Sequence, residues 1–177
     1  MAVWTNSYGK KVLAIKGTDL SNMSDIVNDV SMVLGGENSR YAVGPTVARA
    51  LQLIKRYDVN MITGHSLGGY MAEIIATNHG IPGIAFCAPG TNGPATKLGG
   101  SVVEGFHNVN FEHDPAGNIM SGIYQHVQWS IFVKSPNDQY THGIDYMVEY
   151  FSRREYLDNA NIQSHCSSYP TGYYYPN

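Results

Sequence analysis

The chain predicts an α/β fold in which a mostly parallel central sheet carries helices on both faces and opens with an N-terminal β-hairpin. Three features of the sequence point there. Residues 12–15 and 81–87 are short, nearly continuous apolar runs, the signature of strands buried on both faces rather than of half-exposed strands that alternate. Segments with apolar residues at helical spacing separate such runs. Glycine-rich punctuation falls where a strand run gives way to a helical one.

Taken in order, residues 2–5 and 11–16 read as two strands joined through Asn6-Ser7-Tyr8-Gly9-Lys10, with Gly9 suited to a hairpin turn. Residues 19–33 carry Met23, Ile26, Val27, Val30, Met32 and Val33 at mostly helical spacing, and residues 34–39 break the pattern. A second helix is expected over residues 44–57, with Pro45 in its first turn and Val47, Leu51 and Ile54 on one face. A strand ending near residue 65 leads into another helix, and residues 81–87 form a further strand. A loop rich in glycine and proline covers 88–100, strands are expected over 102–111 and 125–133, and a last helix over 144–156. All of this reads as a single domain spanning 1–177, with residues 157–177 as a tyrosine-rich C-terminal tail. Parallel sheets bind ligands beyond the carboxyl ends of their strands. Thr18, Ser66, the loop after Cys87 and Asp114 all follow expected strand ends, so they should meet along one edge.

Composition narrows the choices. Hydrophobic residues make up 43% and charged residues 14% of the chain, which suits a sheet covered on both faces and argues against disorder. A net charge of -3 offers no basic field, so nucleic acid is not an expected partner. Cys87 and Cys166 cannot form a disulfide framework; Cys87 reads as a small buried hydrophobe, with a Cys87–Cys166 bridge left open. The N-terminal residues lack a charged and apolar leader pattern, and no run reaches membrane-spanning length, so the expectation is a soluble chain, cytoplasmic by default. Histidines are scattered without metal-site spacing, and neither a metal nor any other cofactor is expected.

The chemistry centres on Gly64-His65-Ser66-Leu67-Gly68-Gly69. A serine on a sharp strand-to-helix turn adopts a strained backbone, so residues two positions away must be small, and Gly64 and Gly68 satisfy that demand. Gly69 and Ala72 let the following helix lie close to the sheet, with its free N–H groups beside the hydroxyl. A serine hydroxyl needs a base, and the base needs a carboxylate to hold its tautomer. In chain order after the serine, Asp114 in a turn before Pro115 is the candidate acid and His142 in the loop before the last helix the candidate base. His113 lies too near Asp114 to face it, His126 falls within an expected strand, and His165 in the tail is the serious rival. Two oxyanion donors are expected: the Leu67 N–H, and Thr18 through its N–H and hydroxyl, although Thr18 or Asp19 would serve equally as a helix N-cap.

These strings, with Lys16-Gly17-Thr18, residues 25–30, Phe86-Cys87-Ala88-Pro89-Gly90, Asp114-Pro115 and His142-Gly143-Ile144, occur in an order that resembles class 3 lipases, the fungal-type α/β-hydrolase lipases, over most of residues 11–150. The resemblance implies an α/β-hydrolase-like fold, with Ser66 as nucleophile, Asp114 as acid, His142 as base, Thr18 and Leu67 as oxyanion hole, and Asp29 as a structural aspartate. It implies a serine carboxylic ester hydrolase of lipase or phospholipase type, with a lipid or phospholipid ester as substrate, an acyl-enzyme intermediate and possible contact with a membrane surface. Tyr70, Met120, Ile123 and Tyr124 are candidates to line an acyl groove, and each could equally be core or surface. The chain departs from that family in having Lys16 where arginine is usual and only residues 31–43 where a lid is inserted. The 28-residue step from Asp114 to His142 is short for the family, which keeps His165, 51 residues beyond Asp114, in contention. An acyltransferase or thioesterase would use the same three residues, and a non-catalytic structural or interaction protein could retain the same fold.

Overall fold

In the computed structural model, residues 1–17, 39–91, 102–117, 126–135 and 141–152 are described. The hairpin forms where expected: β1 (Ala2–Thr5) pairs antiparallel with β2 (Lys11–Ile15), Ala2 opposite Ala14 and Thr5 opposite Lys11. Asn6 folds the connection, its Oδ1 accepting the N–H groups of Tyr8 and Lys10, and Gly9 takes the positive φ that the tight return needs. From β2 onward every pairing is parallel. β3 (Met61–His65), β4 (Gly83–Phe86), β5 (Phe106–Phe111) and β6 (Trp129–Val133) add in chain order to a six-stranded sheet. The α/β class, with its mostly parallel sheet and opening hairpin, therefore agrees with the sequence reading.

A sheet that grows one strand at a time in one direction, through right-handed crossovers, puts successive crossover helices on the same face. Accordingly α1 (Ser39–Tyr57) and α2 (Leu67–His79) share a face, where Ala50, Tyr70, Ala72, Ile75 and Ala76 meet Leu13, Ile15, Ile62, Ala85 and Phe106 in one core cluster. α3 (Ile144–Ser152) follows β6 and covers the other face. Its Met147, Tyr150 and Phe151 pack on Phe86, Val109, Phe111, Ile131 and Val133, with edge-on ring pairs Phe86–Phe151 and Phe111–Tyr150 at 5.9 and 6.1 Å. Full burial of a phenylalanine such as Phe106 or Phe111 contributes about 1.5–3 kcal/mol, and such pairs somewhat more.

Several boundaries move. α1 begins at Ser39, five residues before the expected start, and Pro45 lies inside it. A proline at a first helical position is a start signal only when no turn precedes it, and here a turn does. The expected strand over 102–111 begins at Phe106, because residues 103–106 form a turn in which the Phe106 N–H donates to the Val103 carbonyl and Gly105 has φ 81°. The strand expected from residue 125 begins at Trp129, since His126 and Gln128 turn their side chains into a buried polar network instead of the ladder. The expected helix over 19–33, Asp29, Met120, Ile123, Tyr124, His165, Cys166 and the tail lie outside the described residues. No helix among the described residues is long and apolar enough to cross a membrane.

Candidate active site

Ser66 sits between β3 and α2 with φ 56° and ψ -128°, a conformation that costs a non-glycine residue on the order of 1–3 kcal/mol. Contacts on both sides hold it. A Cβ on Gly64 would lie 2.3 Å from the Gly68 carbonyl carbon, and one on Gly68 would lie 2.2 Å from the Ile15 carbonyl oxygen, so only glycine permits β2, β3 and α2 to converge at the turn. The Ser66 N–H donates to the Phe86 carbonyl at 2.9 Å, and its own carbonyl accepts from the Tyr70 N–H at 3.0 Å. The serine is thus pinned to β4 on one side and to the first turn of α2 on the other.

The structure brings Ser66, His142 and Asp114 into one line. His142 Nε2 lies 2.9 Å from Ser66 Oγ and His142 Nδ1 lies 2.7 Å from Asp114 Oδ2. A carboxylate facing Nδ1 makes that nitrogen the donor and leaves the Nε2 lone pair for the serine hydroxyl. Asp114 is fully buried; its N–H donates to the Phe111 carbonyl at the end of β5, and its Oδ1 accepts from the Gly117 N–H across the Asp-Pro turn. Leu67 is the first residue of α2, so its N–H has no acceptor within that helix. Thr18 lies outside the described residues, but Gly17 before it runs against the elbow: a Cβ there would lie 2.4 Å from the His65 carbonyl oxygen and 3.2 Å from Ser66 Cβ.

Of the other sequence candidates, Tyr70 does not line a groove. It is buried in the core beneath α2, because the residue four positions past the elbow faces the sheet. His113 donates its backbone N–H to Ser135 Oγ, and the His126 ring pairs with Glu73.

Two residues beside the site carried no assigned role in the sequence. His65, adjacent to the serine, places Nε2 2.6 Å from the His142 carbonyl oxygen, so it must donate there, and the two rings lie 4.8 Å apart. Burial, and then the neighbouring His142, hold its pKa below the usual histidine value, which keeps His65 neutral while it anchors the backbone of the candidate base. Cys87 leaves β4 at φ 49°, fully buried, with its thiol hydrogen-bonded to Asp114. Burial and the nearby carboxylate push that thiol well up, so Cys87 stays protonated and donates to the candidate acid. The available signal for both was position: one lies directly before the serine and the other directly after a buried strand. Ring nitrogens of His65 and His142 and the Cys87 sulphur lie within 4.8 Å of one another; His65 Nε2 donates to the His142 carbonyl, His142 Nδ1 donates to Asp114, and His142 Nε2 accepts from Ser66.

Residues 2–108, more than half of the chain, match a phospholipase-like family described as the Tle-like phospholipase domain. The chain belongs to that family. Membership in the Tle-like phospholipase family places the protein among lipid ester hydrolases, and the matched stretch contains Ser66 but ends before Asp114 and His142. It supports the lipase and esterase side of the sequence reading without extending to the class 3 lipases. Among solved structures, the esterase domain of a Rhodothermus marinus protein is 14% identical, with a TM-score of 0.38 and coverage of 76% of this chain and 86% of that one. Among curated proteins, none matches the chain.

Proposed function

We propose that the protein is a serine carboxylic ester hydrolase that cleaves acyl esters of lipids, phospholipids included, through an acyl-enzyme on Ser66. One observation carries the reading: the unbroken line from Ser66 Oγ through His142 to the buried Asp114, at 2.9 and 2.7 Å, behind a serine held in a strained elbow. The family match supports the lipid ester. In this mechanism His142 Nε2 takes the Ser66 proton as Oγ attacks the ester carbonyl carbon. The tetrahedral oxyanion is stabilised by the Leu67 N–H and by Thr18, each donor worth about 2.7–4 kcal/mol. His142 returns the proton to the departing alcohol oxygen, and a water activated by the same nitrogen then releases the fatty acid and regenerates the serine. His65 and Cys87 hold the base and the acid in place and exchange no proton with substrate.

The test is hydrolysis of short- and long-chain p-nitrophenyl esters and of phosphatidylcholine vesicles by wild type, Ser66→Ala, His142→Ala and His165→Ala. Ser66→Ala and His142→Ala should each lose about 10⁴-fold or more in kcat, with His165→Ala near wild type. Activity retained in His142→Ala but lost in His165→Ala would move the base to the tail. A fluorophosphonate that fails to label Ser66 in folded protein would remove the serine mechanism altogether.

A further inference from the structure

A second set of buried polar side chains lies behind the site on the α2 face of the sheet. Glu73, seven residues after Ser66 in α2, is fully buried and accepts three hydrogen bonds. The N–H groups of Val127 and Gln128 reach Oε1 at 2.9 and 3.0 Å, and His126 Nδ1 reaches Oε2 at 2.8 Å. His126 Nε2 lies 3.3 Å from Asn110 Nδ2, and Asn110 Oδ1 accepts the Ala88 N–H at 3.1 Å. These contacts leave one wiring. Because Asn110 Oδ1 is taken by Ala88, the amide NH₂ must face His126, whose Nε2 must accept; the imidazole proton is therefore on Nδ1 and is donated to Glu73.

The far end of this chain reaches the surroundings of the acid from two sides. Asn110 is packed so closely under Gly117 that a Cβ there would lie 2.6 Å from the amide carbon and oxygen. Gly117 is the residue whose N–H holds Asp114 Oδ1, leaving Oδ2 for His142. Ala88, held by the same amide, follows Cys87, whose thiol donates to Asp114. A buried carboxylate with a buried imidazole is an expensive way to fill space that an apolar pair could fill, which argues for a requirement beyond packing.

We infer that Glu73, His126 and Asn110 are positioning residues for Asp114, a fixed-tautomer chain that ties the helix behind the nucleophile to the turn carrying the acid. The inference rests on the proposed roles of Ser66, His142 and Asp114. Glu73→Gln keeps the shape of the side chain but miswires the chain. With Oε1 still serving the two N–H groups, the new amide faces His126 Nδ1 as a donor, forces the proton to Nε2, and sets it against the Asn110 NH₂.

The experiment compares Glu73→Gln, Asn110→Ala and Thr77→Val in the full chain. Thr77, in the same helix, accepts from Gln128 Nε2 at 2.8 Å off the path to Asp114, so its loss reports on stability alone. Three readouts are taken on each: thermal unfolding, kcat and KM on a soluble p-nitrophenyl ester, and the downfield proton resonance of the His142 Nδ1–H bonded to Asp114. Glu73→Gln and Asn110→Ala should lose about 10–100-fold in kcat with KM nearly unchanged, and should shift or broaden the resonance. Thr77→Val should lower Tm while leaving both kcat and the resonance as in wild type. Wild-type kcat and an unmoved resonance in folded Glu73→Gln would overturn the inference, as would an equal kcat loss in Thr77→Val. Those results are separable from failure of the proposed function, which would appear as a wild-type Ser66 that neither turns over esters nor takes a fluorophosphonate. The resonance needs no turnover, so it tests the chain in that case too.

Discussion

Replacing Asp114 by asparagine changes one atom at the most buried point of the site, and its consequence can be followed bond by bond. In wild type Oδ1 is held by the Gly117 N–H and Oδ2 faces His142 Nδ1 at 2.7 Å. The amide of Asp114→Asn must keep its oxygen on Gly117, because an NH₂ there would meet another donor. Its NH₂ therefore faces His142 Nδ1, which can only accept, and the ring proton moves to Nε2. That nitrogen lies 2.9 Å from Ser66 Oγ and now presents a hydrogen where the serine needs a lone pair. The loss expected for a base locked in the wrong tautomer is about 10⁴-fold in kcat, which at 1.36 kcal/mol per tenfold is roughly 5.4 kcal/mol of transition-state stabilisation. Because the exchange preserves shape and the Gly117 contact, the variant should remain folded. The assay is steady-state hydrolysis of p-nitrophenyl butyrate, with circular dichroism and thermal unfolding on the same preparation. A folded Asp114→Asn protein with more than about a tenth of wild-type kcat would refute the role of the carboxylate.

Further outcomes follow from the same contacts. Gly68→Ala puts a methyl group 2.2 Å from the Ile15 carbonyl oxygen, which only backbone movement can relieve; a cost of about 1–3 kcal/mol or more, at about 2–4 °C per kcal/mol, should lower Tm by several degrees in a thermal scan. His65 and His107 both have pKa values pushed below 6.5, mainly by burial. The folded chain therefore binds their protons less readily than the unfolded chain, so this contribution to stability is present above pH 6.5 and is lost as pH falls through the lowered values. Urea midpoints at pH 7.5 and 5.5 should drop on acidification, and drop less in a His65→Asn, His107→Asn variant; an equal drop in both would remove these residues as the cause. Cys87, buried and with its thiol pushed well up, should resist a thiol reagent at pH 8 in a folded Cys166→Ser background and react on unfolding, whereas prompt labelling of the native protein would contradict its burial.

What the sequence made legible, and what it did not, divides along the range of the interactions. The hairpin, the elbow and the strands along the chain rest on local signals: Gly9 in a turn, glycines two residues either side of Ser66, apolar runs of strand length. His142 was legible as the candidate partner of Asp114 from chain order, serine then acid then base, and the fold brings the two side chains to 2.7 Å. The start of α1 was not legible, since a proline gives the same signal at the first position of a helix as it does inside one. Nor was the role of His126, because an imidazole in an apolar context looks like a strand residue until Glu73, 53 positions earlier, is brought beside it by the packing of α2. His65 and Cys87 escaped for a related reason. Their partners are a backbone carbonyl and a carboxylate contributed by distant loops, and a sequence pattern carries no trace of either contact.

The arrangement around Ser66 also shows where stability is spent. The serine is strained, Asp114 and Glu73 are carboxyl groups removed from water, and Cys87 sits at a positive φ. Each of these is unfavourable alone; Ser66, Cys87 and Asp114 follow the carboxyl ends of β3, β4 and β5, and Glu73 lies behind them in α2. The apolar contacts that offset them lie elsewhere, in Leu13, Ile62, Ile75 and Phe106 on one face and Phe111, Val133 and Met147 on the other. Such a division follows from what alignment requires. A hydrogen-bonded line through His142 keeps its geometry only if water cannot offer alternative partners to Asp114, so the acid must be buried. A buried acid in turn needs a fixed donor at each oxygen, supplied here from among Gly117, Cys87 and His142.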